Sequence, residues 1–117
     1  MITLYGIKNC DTCRKALKWL DAEGIENRFH DFRKDGLTDS QVSAWLDSAG
    51  TDMLLNKRGT TWRNLDAAQK EAAESDRDKL AALLLDQPTL LKRPVMDTGD
   101  RIFIGFTDET RSAVSAA

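Results

Sequence analysis

Two cysteines three positions apart, Cys10 and Cys13, lie where a short apolar run gives way to a helical pattern, and the chain has no others. Ile2 to Tyr5 reads as a strand, and Gly6 to Asn9 as the loop leaving it. From about Asp11, the residues Cys13, Ala16, Leu17 and Leu20 recur at the spacing of one face of an amphipathic helix. Cys10 therefore falls at or just before a helix N-terminus. Unpaired backbone N–H groups and the helix dipole favour negative charge there, which lowers a thiol's pKa and makes it a nucleophile. Cys13, one turn inside on the apolar side, is expected to be the more buried and the less reactive thiol. It is either a resolving thiol or a small core side chain.

The cysteine count excludes several classes. A secreted domain stapled by disulfides needs more cysteines, spread farther along the chain. A four-ligand zinc site needs partners that a single CxxC and the lone histidine, His30, cannot supply. His30 itself reads as a surface or edge residue of a strand. No metal and no nucleotide cofactor are expected. At 117 residues the chain suits one domain able to bury a core of its own. Its net charge of −2, with both signs mixed along the chain, offers no basic surplus for nucleic acid. No apolar run approaches the ~18 residues of a membrane span, and the N-terminus lacks a signal-peptide pattern, so a cytoplasmic monomer is expected.

Taken in order, the first helix should end near Ala22, with Gly24 as its C-terminal cap. Ile25 to Asp31 suits a second strand, and strand–helix–strand in ~30 residues implies a parallel pair with a right-handed crossover. Thr38 and Gln41 form a capping-box pattern ahead of a helix with Val42, Trp45, Leu46 and Ala49 on its apolar stripe, closed by Gly50. Asp52 to Asn56 reads as a short helical piece, Lys57 to Thr61 as a basic loop, and Trp62 to Ser75 as one weakly buried helix. Asp76 to Asp86 is a stronger helix that Pro88 prevents from continuing. Leu90 to Asp97 approaches and forms a third strand, Thr98 to Asp100 a turn, and Arg101 to Gly105 a fourth strand. Thr107 should cap a closing helix with Val114 facing inward, and Ser115 to Ala117 should fray. The expectation is a single α/β domain over 1–117, its helical insertion spanning about 38–88.

A βαβ unit with CxxC at its first helix, followed by a hairpin and a helix, is the thioredoxin-like plan: here a four-stranded mixed sheet with a helical insertion between strands 2 and 3. Tyr5-x-x-x-x-Cys10-x-x-Cys13-Arg14-Lys15, the segment Leu54 to Arg63, and Pro88-x-Leu90-Leu91-x-Arg93-Pro94 narrow it further. Together they resemble the ArsC family, which holds glutaredoxin-coupled arsenate reductases, Spx-type transcription regulators and YffB-type proteins. The resemblance runs from Met1 to about Ala113 and is nearest to the YffB type, whose members are proposed to be glutathione-dependent thiol reductases. It implies that Cys10 is the nucleophile, that Arg93 binds an oxyanion or carboxylate, and that Pro94 is cis and lies beside the cysteine. Lys8, Asn9, Arg14, Arg58, Arg93 and Pro94 are then the expected anion- or glutathione-binding set, with Cys10, Cys13 and Arg93 catalytic. Glutathione is the expected co-substrate and glutaredoxin a possible partner. Arsenate reductases of the family use two further arginines. Their positions fall near Asn56 and Gly105 here, where only Arg58 or Arg63, and Arg101, stand close in sequence. Three other readings stay open: arsenate reduction, a redox-sensing regulator that binds RNA polymerase, and an idle relative of the fold.

Overall fold

The computed structural model describes residues 1–116. In chain order the elements are β1 (Ile2–Gly6), α1 (Asp11–Ala22), β2 (Asn27–Asp31), α2 (Asp39–Ala49), α3 (Thr51–Leu54), α4 (Thr60–Arg63), α5 (Ala67–Ser75), α6 (Arg77–Asp86), β3 (Val95–Asp97), β4 (Ile102–Ile104) and α7 (Asp108–Ala116). They fall into two compact units: Met1–Gly36 with the chain from Arg93 onward, and Leu37–Lys92.

The first unit carries one sheet of order β2-β1-β3-β4. β1 and β2 are parallel, while β1–β3 and β3–β4 are antiparallel, so the sheet is mixed as the sequence implied. Parallel strands cannot be joined by a tight hairpin; α1 makes the crossover, and Gly24 at φ +70° lets the chain leave it. Strand periodicity then builds the core. Phe29, Leu4, Met96 and Phe103 stand opposite one another across four strands, and Cys13, Ala16 and Leu20 of α1 and Val114 of α7 join that cluster. On the other face Tyr5, Val95 and Ile104 are likewise buried.

The second unit is helical. Thr38 Oγ1 accepts from the Gln41 N–H at 3.1 Å and the Gln41 side chain accepts from the Thr38 N–H at 2.9 Å, the reciprocal cap its sequence encodes. Val42, Trp45 and Leu46 of α2 and Leu80, Ala81 and Leu84 of α6 are buried, and α6 also packs on α5. The unit is wider than the expected insertion because its exit is tied to its middle: Leu55 bridges Leu91, the Asn56 N–H donates to Leu90 O at 2.7 Å, and the Lys92 N–H donates to Leu54 O at 2.8 Å.

Four sequence expectations are corrected. Trp62 to Ser75 is two helices, because Asp66 turns extended and caps α5 in a capping box with Gln69, while Leu65 is buried between them. Leu90 to Asp97 yields only a three-residue strand: Pro88–Leu90 is a 3₁₀ turn and Leu91 pairs within the helical unit. β4 is likewise short, ending at Ile104 because Gly105 takes φ +87°. Ser115 and Ala116 continue α7, which Thr107 caps through the Thr110 N–H at 3.2 Å; Ala117 lies outside the described residues.

Candidate active site

β1 ends at Gly6, and the loop Ile7–Asn9 turns tightly enough for the Cys10 N–H to donate to Ile7 O at 3.2 Å. That turn makes Cys10 the N-cap of α1, in extended conformation at φ −106°, with its carbonyl accepting the Arg14 N–H at 3.0 Å. The side chain forms no ordinary cap hydrogen bond. Sulfur bonds are long, and what surrounds the thiol favours it as an anion. Partial burial is the largest single influence and opposes ionisation. The Cys13 N–H, the Cys13 thiol and the Arg93 guanidinium together outweigh it and hold the Cys10 pKa below its ordinary 9.0.

Cys13 is the opposite case. It is 1% exposed, and burial, reinforced by the neighbouring Cys10 sulfur and opposed by the Ile7 N–H and by Arg93, pushes its thiol up to about 12. Both cysteines are free thiols. One turn of helix thus separates a thiol poised to ionise from one that keeps its proton. The folded Cys13 stays protonated where the unfolded chain ionises, so stability should fall as pH rises from about 9 to about 12. Urea midpoints measured across that range should show the alkaline decline, and Cys13→Ala should flatten it.

Arg93 is half-buried, with Nε fully enclosed, and precedes Pro94 across a cis peptide bond, as the family resemblance implied. Pro94 is buried and its carbonyl accepts the Gly105 N–H at 2.8 Å. The structure therefore brings Cys10, Cys13, Arg93 and Pro94 of the expected set into one unit, with Lys8 and Asn9 exposed on the loop beside them. Arg14 is committed elsewhere: its Nε donates to Lys8 O at 3.3 Å and its Nη1 meets Asp11 at 3.4 Å, both in solvent. It braces the loop more than it neutralises the thiolate. Arg58 belongs to the second unit, exposed on a loop where its N–H donates to Asn56 Oδ1 at 3.1 Å. Arg63 is exposed in that unit too, and Arg101 lies over the Phe103 ring. His30 is half-buried on the edge strand, its Nε2 2.6 Å from Gly36 O and its ring 4.7 Å from that of Tyr5.

A cavity of about 400 Å³ at the CxxC loop has Ile7, Cys13, Leu17 and Phe29 as apolar walls and Lys8, Asn9 and Arg14 at its polar edge. Among the described residues, no cluster of three His, Cys, Asp or Glu side chains could hold a metal ion. Two residues of the site escaped the sequence reading. Gly6 looked like a loop glycine, yet a Cβ there would stand 2.4 Å from Cys13 Sγ. Asp31 looked like a strand end, yet its buried carboxylate binds the loop that carries Lys8. Nothing in the mostly polar strand Asn27–Asp31 sets that aspartate apart, so the sequence carries no local signal for it.

The ArsC family model matches residues 5–114. The chain belongs to the ArsC family. An uncharacterized protein of Haemophilus influenzae is 47% identical over 118 residues, spanning 99% of this chain and all of that one. A solved YffB protein is 41% identical with a TM-score of 0.88, and the match covers 97% of each chain. The global transcriptional regulator Spx of Streptococcus pyogenes is 30% identical, over 98% of this chain and 86% of its own. The likeness to the YffB type therefore holds in sequence and in fold, and this ArsC member also has regulators among its relatives.

Proposed function

We propose that this ArsC-family chain is a cytoplasmic thiol–disulfide oxidoreductase that uses Cys10 as nucleophile and glutathione as co-substrate. The observation that carries the reading is the unequal pair of thiols, one favoured as an anion by Cys13 and Arg93, the other buried and protonated. Cys10 thiolate attacks the glutathione sulfur of a mixed disulfide. The Cys10–sulfur bond forms, the substrate's S–S bond breaks, and the substrate leaves as a thiolate that takes a proton from water. A second glutathione thiolate then attacks the adduct, releasing glutathione disulfide and restoring Cys10. Glutathione offers carboxylates; the Arg93 guanidinium that acts on the Cys10 thiol, and Lys8, exposed on the loop before it, are cations that could receive them. Such chemistry belongs in a compartment whose glutathione keeps thiols reduced.

Arsenate reduction on the family pattern needs two more arginines. Asn56 is engaged with the Arg58 N–H, and Gly105 takes a left-handed φ of +87° that an arginine would strain to adopt. The test is to offer the protein a glutathionylated peptide with glutathione and, separately, arsenate with glutathione and glutaredoxin. The expected result is peptide thiol release with a glutathione adduct on Cys10 and no arsenate turnover. Arsenate turnover would reassign the chain, and neither reaction would overturn the oxidoreductase reading. The Spx likeness supports a second reading, a redox-sensing regulator; capture of RNA polymerase in one redox state only would favour it.

A further inference from the structure

From the helix it precedes, the Cys10 loop receives only a solvent-exposed brace, Arg14 Nε donating to Lys8 O at 3.3 Å; its buried brace comes from the edge strand. Asp31, the last residue of β2, is 8% exposed. One carboxylate oxygen, Oδ1, accepts from the Arg33 N–H at 2.7 Å and the Lys34 N–H at 3.1 Å, closing the turn that follows the strand. The other, Oδ2, reaches across to the Lys8 N–H at 3.1 Å. Beside it the Phe32 N–H donates to Gly6 O at 2.8 Å. The loop from β1 to the nucleophile is thus pinned at both ends: by Gly6 O and the Lys8 N–H to the β2 turn, and by the Cys10 N–H to Ile7 O.

We propose that Asp31 is a positioning residue for the nucleophile, its buried carboxylate fixing Lys8 and thereby the turn that sets Cys10 at the N-terminus of α1. The inference rests on Cys10 being the nucleophile. A half-satisfied turn would let Lys8 and Asn9 shift, and with them the approach of Cys10 Sγ to the Cys13 N–H and to Arg93. Burial opposes the charge of Asp31, but the N–H groups of Arg33, Lys34 and Lys8 and the Arg33 charge hold its pKa below the ordinary 3.8. The brace is therefore ionised throughout the range in which a thiol titrates. The charged groups around it are Lys8, Arg33, Lys34 and Asp35; Arg93 and the protonated Cys13 act on Cys10, and Lys8, Asp11 and Arg14 flank it in the chain.

Asp31→Asn separates the two jobs. An asparagine can keep its oxygen on the Arg33 and Lys34 donors, and its amide then faces the Lys8 N–H donor to donor. The sign of the effect is decisive. If Asp31 mattered only as a nearby negative charge, removing it would make Cys10 easier to ionise. Loss of positioning makes it harder. The experiment is the rate of iodoacetamide alkylation of Cys10 against pH, with the modified cysteine assigned by peptide mass mapping. A pH midpoint raised by one unit cuts the thiolate tenfold, partly offset by the greater nucleophilicity of a more basic thiolate, for a net loss of about threefold near neutral pH. Asp35→Ala serves as the control, since Asp35 accepts from the Asp31 N–H at 3.0 Å and supports the turn without touching Lys8. Its Cys10 profile should match the wild type. An Asp31→Asn midpoint that is unchanged or lowered, or an equal rise in Asp35→Ala, overturns the proposal. A wild-type Cys10 with an ordinary thiol midpoint instead overturns the nucleophile reading on which it stands.

Discussion

Replacing Cys10 with serine is expected to abolish thiol transfer while leaving the protein at least as stable as before. A hydroxyl cannot enter a disulfide, and removal of a catalytic nucleophile costs on the order of a thousandfold or more in turnover. Cys13 cannot take over, being 1% exposed and protonated up to about 12. Stability should move the other way. Position 10 is the N-cap of α1, where serine is among the preferred residues and its smaller oxygen can accept from the cap N–H groups at ordinary hydrogen-bond length, which the thiol does not reach. A gain of about 0.5 kcal/mol is reasonable for that cap. The pair of measurements is glutathione-dependent turnover and the thermal midpoint. Turnover surviving in Cys10→Ser would place the chemistry elsewhere, and a sharp loss of stability would mean that the thiol has a packing role.

Gly6→Ala should destabilise the first unit through a direct clash with Cys13. The φ of Gly6 is not in the left-handed region, so the obstacle is space: the new Cβ would stand 2.4 Å from Cys13 Sγ and 3.4 Å from Cys13 Cβ. Cys13 has one side-chain torsion and a packed core around it, so it cannot swing aside freely. Overpacking of this kind costs typically about 1–3 kcal/mol, a fall of several degrees in the thermal midpoint for a domain of this size. The same displacement removes the Cys13 thiol from Cys10, so Cys10 alkylation should slow as well. A double-mutant cycle isolates the cause. In a Cys13→Ala background the sulfur is gone, and Gly6→Ala should become nearly neutral. Equal cost in both backgrounds would trace the effect to the strand rather than to the sulfur.

Local signals in the chain are faithful wherever the governing interaction is local. Thr38 and Gln41 are three residues apart and cap the helix they announce, and the 3.6-residue stripe of α1 buries Cys13, Ala16 and Leu20 as its spacing requires. The helix predicted across Trp62 to Ser75 fails for a reason that is half visible: Asp66 and Gln69 carry a capping pattern of their own, overlooked within an alanine-rich run. Leu91 defeats strand prediction because its partner, Leu55, lies far back along the chain. The site divides the same way. Cys10 at a helix start is readable from spacing, whereas the need for glycine at position 6 depends on where Cys13 Sγ arrives, and the importance of Asp31 on a loop twenty-three residues earlier. Long-range contacts leave no period in a sequence.

The proton held by Cys13 also sets a clock. Once Cys10 carries a glutathionyl group, the only sulfur within the molecule that could release it is buried, and burial is the main reason that thiol resists ionisation. Burial, the largest cause of that resistance, persists in the adduct, so Cys13 keeps its proton near neutral pH. The adduct therefore waits for a thiol from outside, and its lifetime is set by how much reduced glutathione surrounds the protein. On the proposed reading, the fraction of molecules that stand loaded would report the supply of reduced glutathione.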